Sequence, residues 1–397
     1  MGKPLILLGA TGDIGTQALD ILRFQDEYDL VGVAFHSRFE RLEPYLFWFD
    51  KLTDIVMEEE AAKAFLLHHP FWKGKVHYGE GAIEKLLLRH PDATVINAIS
   101  GNAGILPTLS ALKNNQDLLL ANKESYVVGS SLMKRRLASY TGHLYPIDSE
   151  HVGLFKCLAA CRKDETPVSL MITASGGALR DKRLEDLSKV KPEEVLAHPT
   201  WKMSPKITVD CATLVNKGYE VIEASEMFSY PMEQIEAKIC RSSLIHAGVT
   251  ARNENGELST YYEYSPCSMK NAIAFALSKG KRTIHHCNEE EEEKLKKEVS
   301  GLTPINPDHY PLFALTKECY RKYGNTGMFY YNALDSKVIE AFLNGEVSYD
   351  EIACALFYLF HHMPERKALT EENLNEFIKK SEIFASQLLD KKPWRSQ

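Results

Sequence analysis

Along its first 150 residues the chain alternates short apolar runs with longer amphipathic stretches. Residues 4–8, 30–35, 76–78, 93–98, 117–121 and 143–147 read as strands. Helical spacing fills gaps between them, at Ala18, Leu19, Ile21 and Leu22 and again over 106–112. This alternation predicts a Rossmann-type α/β domain over residues 1–147. Residues 168–173 alternate apolar and polar, 207–209 are a short β-branched run ahead of a turn and a helix, and 235–239, 243–249 and 260–264 are again strand-like. They predict a central α+β catalytic domain over 148–278, with a mixed sheet whose open face suits the pairing of two copies. Residues 279–302 are polar, with Glu289–Glu293 followed by lysines, and read as a partly helical linker. Helical patterns at 312–320, 337–343, 349–361 and 371–388 predict a C-terminal helical domain over 303–397. Phe329, Tyr330, Tyr331, Phe357, Tyr358 and Phe360 are expected in its core.

Polar residues collect where the apolar runs end. The first run leads into Gly9-Ala10-Thr11-Gly12-Asp13-Ile14-Gly15 and then a helix, a variant of the dinucleotide fingerprint. Its glycines permit a tight turn, and the helix start offers N–H groups to a pyrophosphate. The second run ends in His36-Ser37-Arg38 with Arg41 beyond, where an NAD enzyme usually carries an acid. A hydroxyl and a guanidinium there suit a 2′-phosphate, which favours NADPH over NADH. The run over 117–121 ends in Asn122-Lys123-Glu124-Ser125, and that over 143–147 in Asp148-Ser149-Glu150-His151.

The stretch from His198 to Glu220 is the densest in candidate chemistry. Asn216 and Lys217 before Gly218 suit a phosphate, Lys as a point charge and Gly for close backbone approach. Glu220, one helical turn on, would repel a phosphate unless a cation lies between. Asp148 and Glu150 are candidates to complete a set of oxygen ligands for Mg²⁺ or Mn²⁺, sharing a face if the chain is extended. Taken alone, a D-x-E pair is better explained as a helix N-cap. Ser175, in the loop Ala174–Gly177, is a further candidate phosphate donor.

Composition narrows the partners. A net charge of −7 and a pI near 6.1 argue against a nucleic-acid binder. No apolar run approaches the roughly 20 residues of a membrane span, and no signal peptide is visible, so a cytoplasmic protein is expected. The eight cysteines are scattered, with no C-x-x-C pair, as in a reduced chain without a zinc site.

Taken together, Gly9–Gly15, A-N-K-E-S at 121–125, D-S-E-H at 148–151, Ser175–Gly177 and H-P-x-W-x-M…N-K-G-x-E at 198–220 resemble the 1-deoxy-D-xylulose 5-phosphate reductoisomerase family over the full length. The resemblance implies an NADPH- and metal-dependent homodimeric enzyme acting on a small phosphorylated sugar, in isoprenoid precursor biosynthesis. It implies Thr11, Gly12, Asp13 and Ile14 at the pyrophosphate, and His36, Ser37 and Arg38 at the 2′-phosphate. Asn122, Glu124 and Ser204 complete the cofactor site. Asp148, Glu150 and Glu220 ligate one divalent cation. Lys123, Glu150 and His198 are the catalytic candidates, and Lys123 and Ser149 meet substrate oxygens. Ser175, Cys211, Asn216 and Lys217 hold the phosphate. His198, Trp201 and Met203 belong to a lid.

The chain departs from the family pattern at several positions. Cys211 stands for a Ser, Cys240-Arg241-Ser242-Ser243 for H-P-Q-S, and Ala178-Leu179 for P-F in G-G-P-F-R. Residues 267–272, C-S-M-K-N-A, stand for P-D-M-R-x-P, and Asn332-Ala333-Leu334-Asp335-Ser336 for N-A-A-N-E. A related enzyme for another ketose phosphate is therefore an alternative, with Arg241 as a compensating donor. A non-catalytic binder is a third reading, disfavoured by the intact carboxylates.

Overall fold

The computed structural model describes residues 2–281, 289–364 and 367–396. Cys287 and the middle of the expected linker lie outside them. The chain forms two compact units. The first comprises Met1–Ser125, Leu132–Val152 and Ser268–Thr283, and the second Tyr126–Ser131, Gly153–Cys267 and Ile284–Gln397. Residues 148–152 and 268–283 thus group with the dinucleotide-type sheet, and the C-terminal helices share a unit with the second sheet.

The first unit is a seven-stranded parallel sheet: β1 (Lys3–Leu8), β2 (Tyr28–Ala34), β3 (Asp54–Val56), β4 (Lys75–His77), β5 (Thr94–Asn97), β6 (Leu118–Leu120) and β7 (Leu144–Pro146). Their order is β4-β3-β2-β1-β5-β6-β7. Leu5 to Leu8 are fully buried, as expected of a parallel strand covered on both faces. The strand order reverses between β1 and β5, so the loops after these two strands diverge there, the position where open α/β sheets bind ligands. The β3 strand escaped the sequence reading because three residues carry no periodicity. The helix Met269–Leu277 packs Ile273, Ala276 and Leu277 into this unit's core, and the Tyr28 hydroxyl donates to the Leu277 carbonyl at 2.8 Å.

The second unit holds a mixed sheet of β8 (Glu165–Ala174), β9 (Ile235–Ile239), β10 (Ile245–Asn253), β11 (Leu258–Tyr264) and β12 (Thr303–Pro304), ordered β11-β10-β8-β9-β12. Only β8 and β9 run parallel. Leu154 and Cys157 pack with Val221 and Ala224 against Leu170, Ile172, Ala247 and Val249 of this sheet. Beyond it, Pro311–Leu343 forms one long helix where two were expected, broken at Gly324, whose φ of 60° and ψ of −159° no L-residue adopts readily. Phe329, Tyr330 and Tyr331 are buried as expected, whereas Phe357 is exposed. Residues 207–209 are not extended. They lie within the helix Pro205–Thr213, which starts with Pro205 in its first turn and buries Thr208, Val209, Ala212 and Thr213. Burial of that face outweighs the weak helical preference of β-branched residues.

Asp54, at the start of β3, is 5% exposed and holds several donors of the first unit together. It accepts from His77 Nε2 at 2.8 Å, Arg89 Nε at 2.9 Å, His90 Nε2 at 3.0 Å and the Thr53 hydroxyl at 3.0 Å. Burial alone would raise its pKa, but these donors outweigh burial and bring it down to about 2, below the ordinary 3.8. A depressed carboxylate stabilises the fold above its unfolded-state pKa and loses that contribution as pH falls through the folded value. Asp54→Asn should therefore destabilise the protein by about 2 kcal/mol at pH 7. The gap from the parent in urea unfolding should close between about pH 4 and about pH 2, and a gap that stays constant would refute the assignment.

Candidate active site

In the first unit the glycine loop and the helix Asp13–Leu22 sit at the carboxyl end of β1. A Cβ on Gly15 would lie 2.1 Å from the Gly9 carbonyl oxygen, so helix and loop can approach only with glycine there. Thr11 is buried and Gly12 and Ile14 are half-buried at the helix start. Asp13 is exposed and turns towards Arg41, 3.5 Å away. His36, Ser37 and Arg38 are all exposed beyond β2, and His36 Nδ1 lies 3.5 Å from Glu58.

Asn122 is buried and fully used. Its amide donates to Ile99 O (2.8 Å), Gly101 O (2.9 Å) and Glu124 Oε2 (2.8 Å), while its carbonyl accepts from the Ser125 backbone (3.0 Å) and hydroxyl (2.6 Å). It ties the loop after β5 to the loop after β6. Lys123 forms an ion pair with Asp148 Oδ2. Asp148 Oδ1 accepts from the Glu150 and His151 backbone N–H groups (3.0 and 3.3 Å) and from His151 Nδ1 (2.8 Å). Asp148 therefore caps the helix Ser149–Ala160, and the extended pairing of Asp148 with Glu150 does not form. Burial opposes its charge, but Lys123 and His151 outweigh burial and hold the carboxyl well below the usual range. The Ser149 hydroxyl donates to Glu150 Oε2 at 2.6 Å.

In the second unit the helices Pro205–Thr213 and Val215–Phe228 meet at Leu214, a buried residue in left-handed conformation (φ 58°). The turn puts Asn216 and Lys217 in the first turn of the second helix, where free N–H groups favour an anion. Asn216 Nδ2 donates to Glu220 Oε1 at 2.6 Å, and Lys217 pairs with Glu220 Oε2. All three are buried. The loop after β8 is pinned to the first of these helices, because a Cβ on Gly177 would meet Ala212 Cα at 2.6 Å. This sets Ser175 beside the segment carrying Cys211. Cys211 is half-buried and makes no disulfide.

Ser175 Oγ lies 2.9 Å from His198 Nε2 and accepts from the Gly177 backbone at 3.0 Å. His198 Nδ1 accepts from the backbone of Thr200 (3.2 Å) and Trp201 (2.9 Å). A nitrogen that accepts twice carries no proton, so His198 is a neutral imidazole with its proton on Nε2, donating to Ser175. Burial and then the Arg180 charge push its pKa down to about 4. The segment from His198 to Ser204 has no helix or strand. Within it Trp201 is half-buried, edge-on to His246 with ring centres 6.2 Å apart, Met203 is half-buried, and Ser204 is exposed ahead of the helix.

Arg241 does not stand in for the missing Ser hydroxyl at position 211. It is exposed and grips Asp181 through two bonds of 2.9 and 2.6 Å. The guanidinium that reaches the phosphate-type loop is Arg180, which donates to the Ser175 carbonyl at 2.9 Å and the Arg241 carbonyl at 2.8 Å. Arg180 received no role from the sequence, although the G-G-x-x-R spacing behind Ser175 carried the signal.

Three family models match the chain: 1-deoxy-D-xylulose 5-phosphate reductoisomerase over residues 5–130, the C-terminal domain of that enzyme over 144–228, and the DXP reductoisomerase C-terminal domain over 264–382. The 1-deoxy-D-xylulose 5-phosphate reductoisomerase of Thermotoga neapolitana is 36% identical over 350 residues, spanning 88% of this chain and 87% of its own. The chain belongs to this family. The enzyme of Chlorobium chlorochromatii is 34% identical over 95% of this chain and 96% of its own length. Among solved structures, the Zymomonas mobilis enzyme in complex with NADPH superposes with a TM-score of 0.82 at 25% identity, covering 98% of this chain and 99% of that one. A DOX-P reductoisomerase in complex with NADPH, fosmidomycin and magnesium gives 0.84 at 25% identity, covering 98% of each. The α/β fold with a second mixed sheet and a helical C-terminal region is thus that of the family.

The fixed tautomer of His198 has a direct test. Nitrogen NMR of the histidine side chains should find this imidazole protonated on Nε2 and unchanged from pH 8 down to about pH 5. An ordinary titration in the 6–7 range, or a proton on Nδ1, would contradict it.

Proposed function

We infer that the protein is an NADPH- and divalent-metal-dependent 1-deoxy-D-xylulose 5-phosphate reductoisomerase, forming 2-C-methyl-D-erythritol 4-phosphate for isoprenoid precursor synthesis. The observation that carries this is the 36% identity to named reductoisomerases across nearly nine-tenths of the chain, with every polar residue of the N-K-E-S, D-S-E-H and N-K-G-x-E segments present.

In this reading Asp148, Glu150 and Glu220 hold one Mg²⁺ or Mn²⁺. The donor set fits, being hard carboxylate oxygens whose positions are fixed by the Asp148 cap and by the bonds from Asn216 and Lys217 to Glu220. When bound, the ion supplies a Lewis acid for the substrate's ketone and hydroxyl oxygens, and NADPH supplies the hydride. Lys123 and Glu150 move protons to and from the substrate oxygens while its carbon skeleton rearranges, and Ser149 holds one of those oxygens. Ser175, Asn216 and Lys217 bind the phosphate. Cys211 contributes a weaker donor than the family's hydroxyl. His198, being neutral, orients Ser175, and with Trp201 and Met203 it covers the substrate and excludes water. Thr11 to Ile14 and Ser204 line the cofactor, with His36, Ser37 and Arg38 at its 2′-phosphate. A homodimer formed through the second unit's sheet is part of the proposal, supported by the family resemblance and by the edge strand β11 with its exposed Leu258. So is a cytoplasmic location. No helix among the described residues is long and apolar enough to cross a membrane.

Two experiments test this reading. NADPH oxidation with 1-deoxy-D-xylulose 5-phosphate should require Mg²⁺ or Mn²⁺, and Glu220→Gln should lower turnover by about a hundredfold or more while leaving NADPH binding intact. Turnover that survives full chelation would sink the metal assignment. Arg38→Ala should raise the KM for NADPH about tenfold, close to the worth of one charge-assisted hydrogen bond, with little effect on NADH. Equal use of both cofactors by the parent would contradict the 2′-phosphate site.

A further inference from the structure

Two buried carboxylates share one lysine in the second unit. Lys206 Nζ lies 2.7 Å from Asp210 Oδ2 and 2.7 Å from Asp335 Oδ2. Asp210 is 3% exposed and Asp335 is fully buried. The other oxygen of each, Oδ1, is buried with no hydrogen-bond partner among the described residues. Two anions on one cation would leave a net negative charge in the interior, with two lone-pair oxygens unsatisfied. One proton taken from solvent removes both faults, turning one carboxylate into a carboxyl that donates to the other.

We propose that Lys206, Asp210 and Asp335 form a proton-loaded clamp that positions the phosphate-binding stretch from Cys211 to Lys217, so that affinity for the phosphorylated substrate falls when the clamp loses its proton. The proposal rests on the reading of Cys211, Asn216 and Lys217 as phosphate contacts. Lys206 and Asp210 sit one turn apart on the helix Pro205–Thr213, and Asp335 sits on the helix Pro311–Leu343. The clamp therefore fixes the first helix to the second. The first helix runs through Cys211 into the Leu214 turn, and Gly177 rests against its backbone, so a shift would carry the Ser175 loop as well. All three are positioning residues.

The electrostatics agree. Burial and then the charge of Asp335 push the Asp210 pKa up to about 8, against the pull of Lys206. Lys206, half-exposed, remains a cation beside the two carboxylates. A buried acid with a raised pKa carries its proton below that value and loses it above, so the clamp is loaded at neutral pH and unloads as pH climbs past about 8. The family motif has Asn where this chain has Asp335. A carboxamide there donates to Asp210 without any proton uptake, so the pH sensitivity belongs to this chain.

Other ionisable groups stand on the packed elements. They include Tyr331 and Cys319 on the helix Pro311–Leu343, Cys211 on the clamp's own helix, Lys217, Tyr219, Glu220, Glu223 and Glu226 on Val215–Phe228, and Glu193 and Glu194 on Pro192–Leu196. Tyr331 remains a neutral phenol, its pKa raised well above 10 by burial. The remaining groups are unchanged in Asp335→Asn, which keeps the shape of the loaded clamp and so separates their titration from the clamp's.

The experiment measures KM and kcat for 1-deoxy-D-xylulose 5-phosphate from pH 6.5 to 9.5 in the parent, Asp335→Asn and Lys206→Met. The substrate phosphate's second ionisation is centred near pH 6 and is essentially complete by pH 8, where the clamp's titration begins. In the parent, substrate KM should rise up to about tenfold per pH unit above pH 8, with kcat changing less and the KM for NADPH flat. In Asp335→Asn the substrate KM should stay near the parent's low-pH value throughout. Lys206→Met should raise it at every pH. A parent without the rise, or a rise that persists unchanged in Asp335→Asn, overturns the proposal. Infrared spectra read the clamp without substrate: the parent should show a buried carboxylic C=O band at pH 7 that is lost by pH 9.5 and absent from Asp335→Asn. Absence of that band from the parent overturns the shared proton whatever the kinetics. The band with no turnover of this substrate at any pH overturns the substrate reading and the positioning role built on it, and leaves the shared proton standing.

Discussion

The second unit's chemistry depends on one strained residue. Leu214 sits in the left-handed region, where a non-glycine side chain costs on the order of 1 kcal/mol or more. It is fully enclosed, so the packing of the helices on either side holds it there. That single reversal lets a helix end and another begin within one residue. Ser175's loop abuts the end of the first helix, and Asn216 and Lys217 open the second. A straight helix through this point would carry Cys211, Asn216 and Lys217 around its circumference and leave no N-terminal amides for an anion.

Cations stand beside several buried carboxylates within each unit: Lys123 beside Asp148 in the first, and Lys217 beside Glu220 and Lys206 beside Asp210 and Asp335 in the second. Removing water from such groups costs several kcal/mol per ion, so an unpaired carboxylate would not remain ionised there. His198 follows the opposite course and gives up its charge. The two backbone N–H groups on Nδ1 make that loss independent of pH over the physiological range, so it serves as a fixed donor to Ser175.

Much of this was legible in the chain. The glycine turn, the six apolar runs that form every strand of the first sheet except β3, and the polar segments N-K-E-S, D-S-E-H and N-K-G-x-E all carry spacing that converts into strand ends and helix starts. The misreadings have physical causes. Ile207-Thr208-Val209 favours a strand by local preference, and only the buried face of the helix overrides it. Asp148 caps a helix, as an isolated D-x-E pair suggests, so the arrangement that an extended chain would give it with Glu150 does not form. Arg241 lies at the right distance in sequence to reach a phosphate, but Asp181, sixty residues earlier, holds it at the surface. The partnership of Lys206 with Asp335 joins positions 129 residues apart, and no local pattern encodes it.

The return of Ser268–Thr283 to the first unit has a consequence for biogenesis. The helix Met269–Leu277 packs against the helix Asp13–Leu22 and β7 in the first unit's core, and Tyr28 bonds to Leu277 across 249 residues. A nascent chain can form most of the parallel sheet early, yet it cannot seal that core until the whole second sheet has been synthesised. Any fragment ending near residue 147 would bare the apolar surface that this helix covers. The dinucleotide-type unit is thus contiguous in space but not in synthesis, and its completion marks a late event on the folding path.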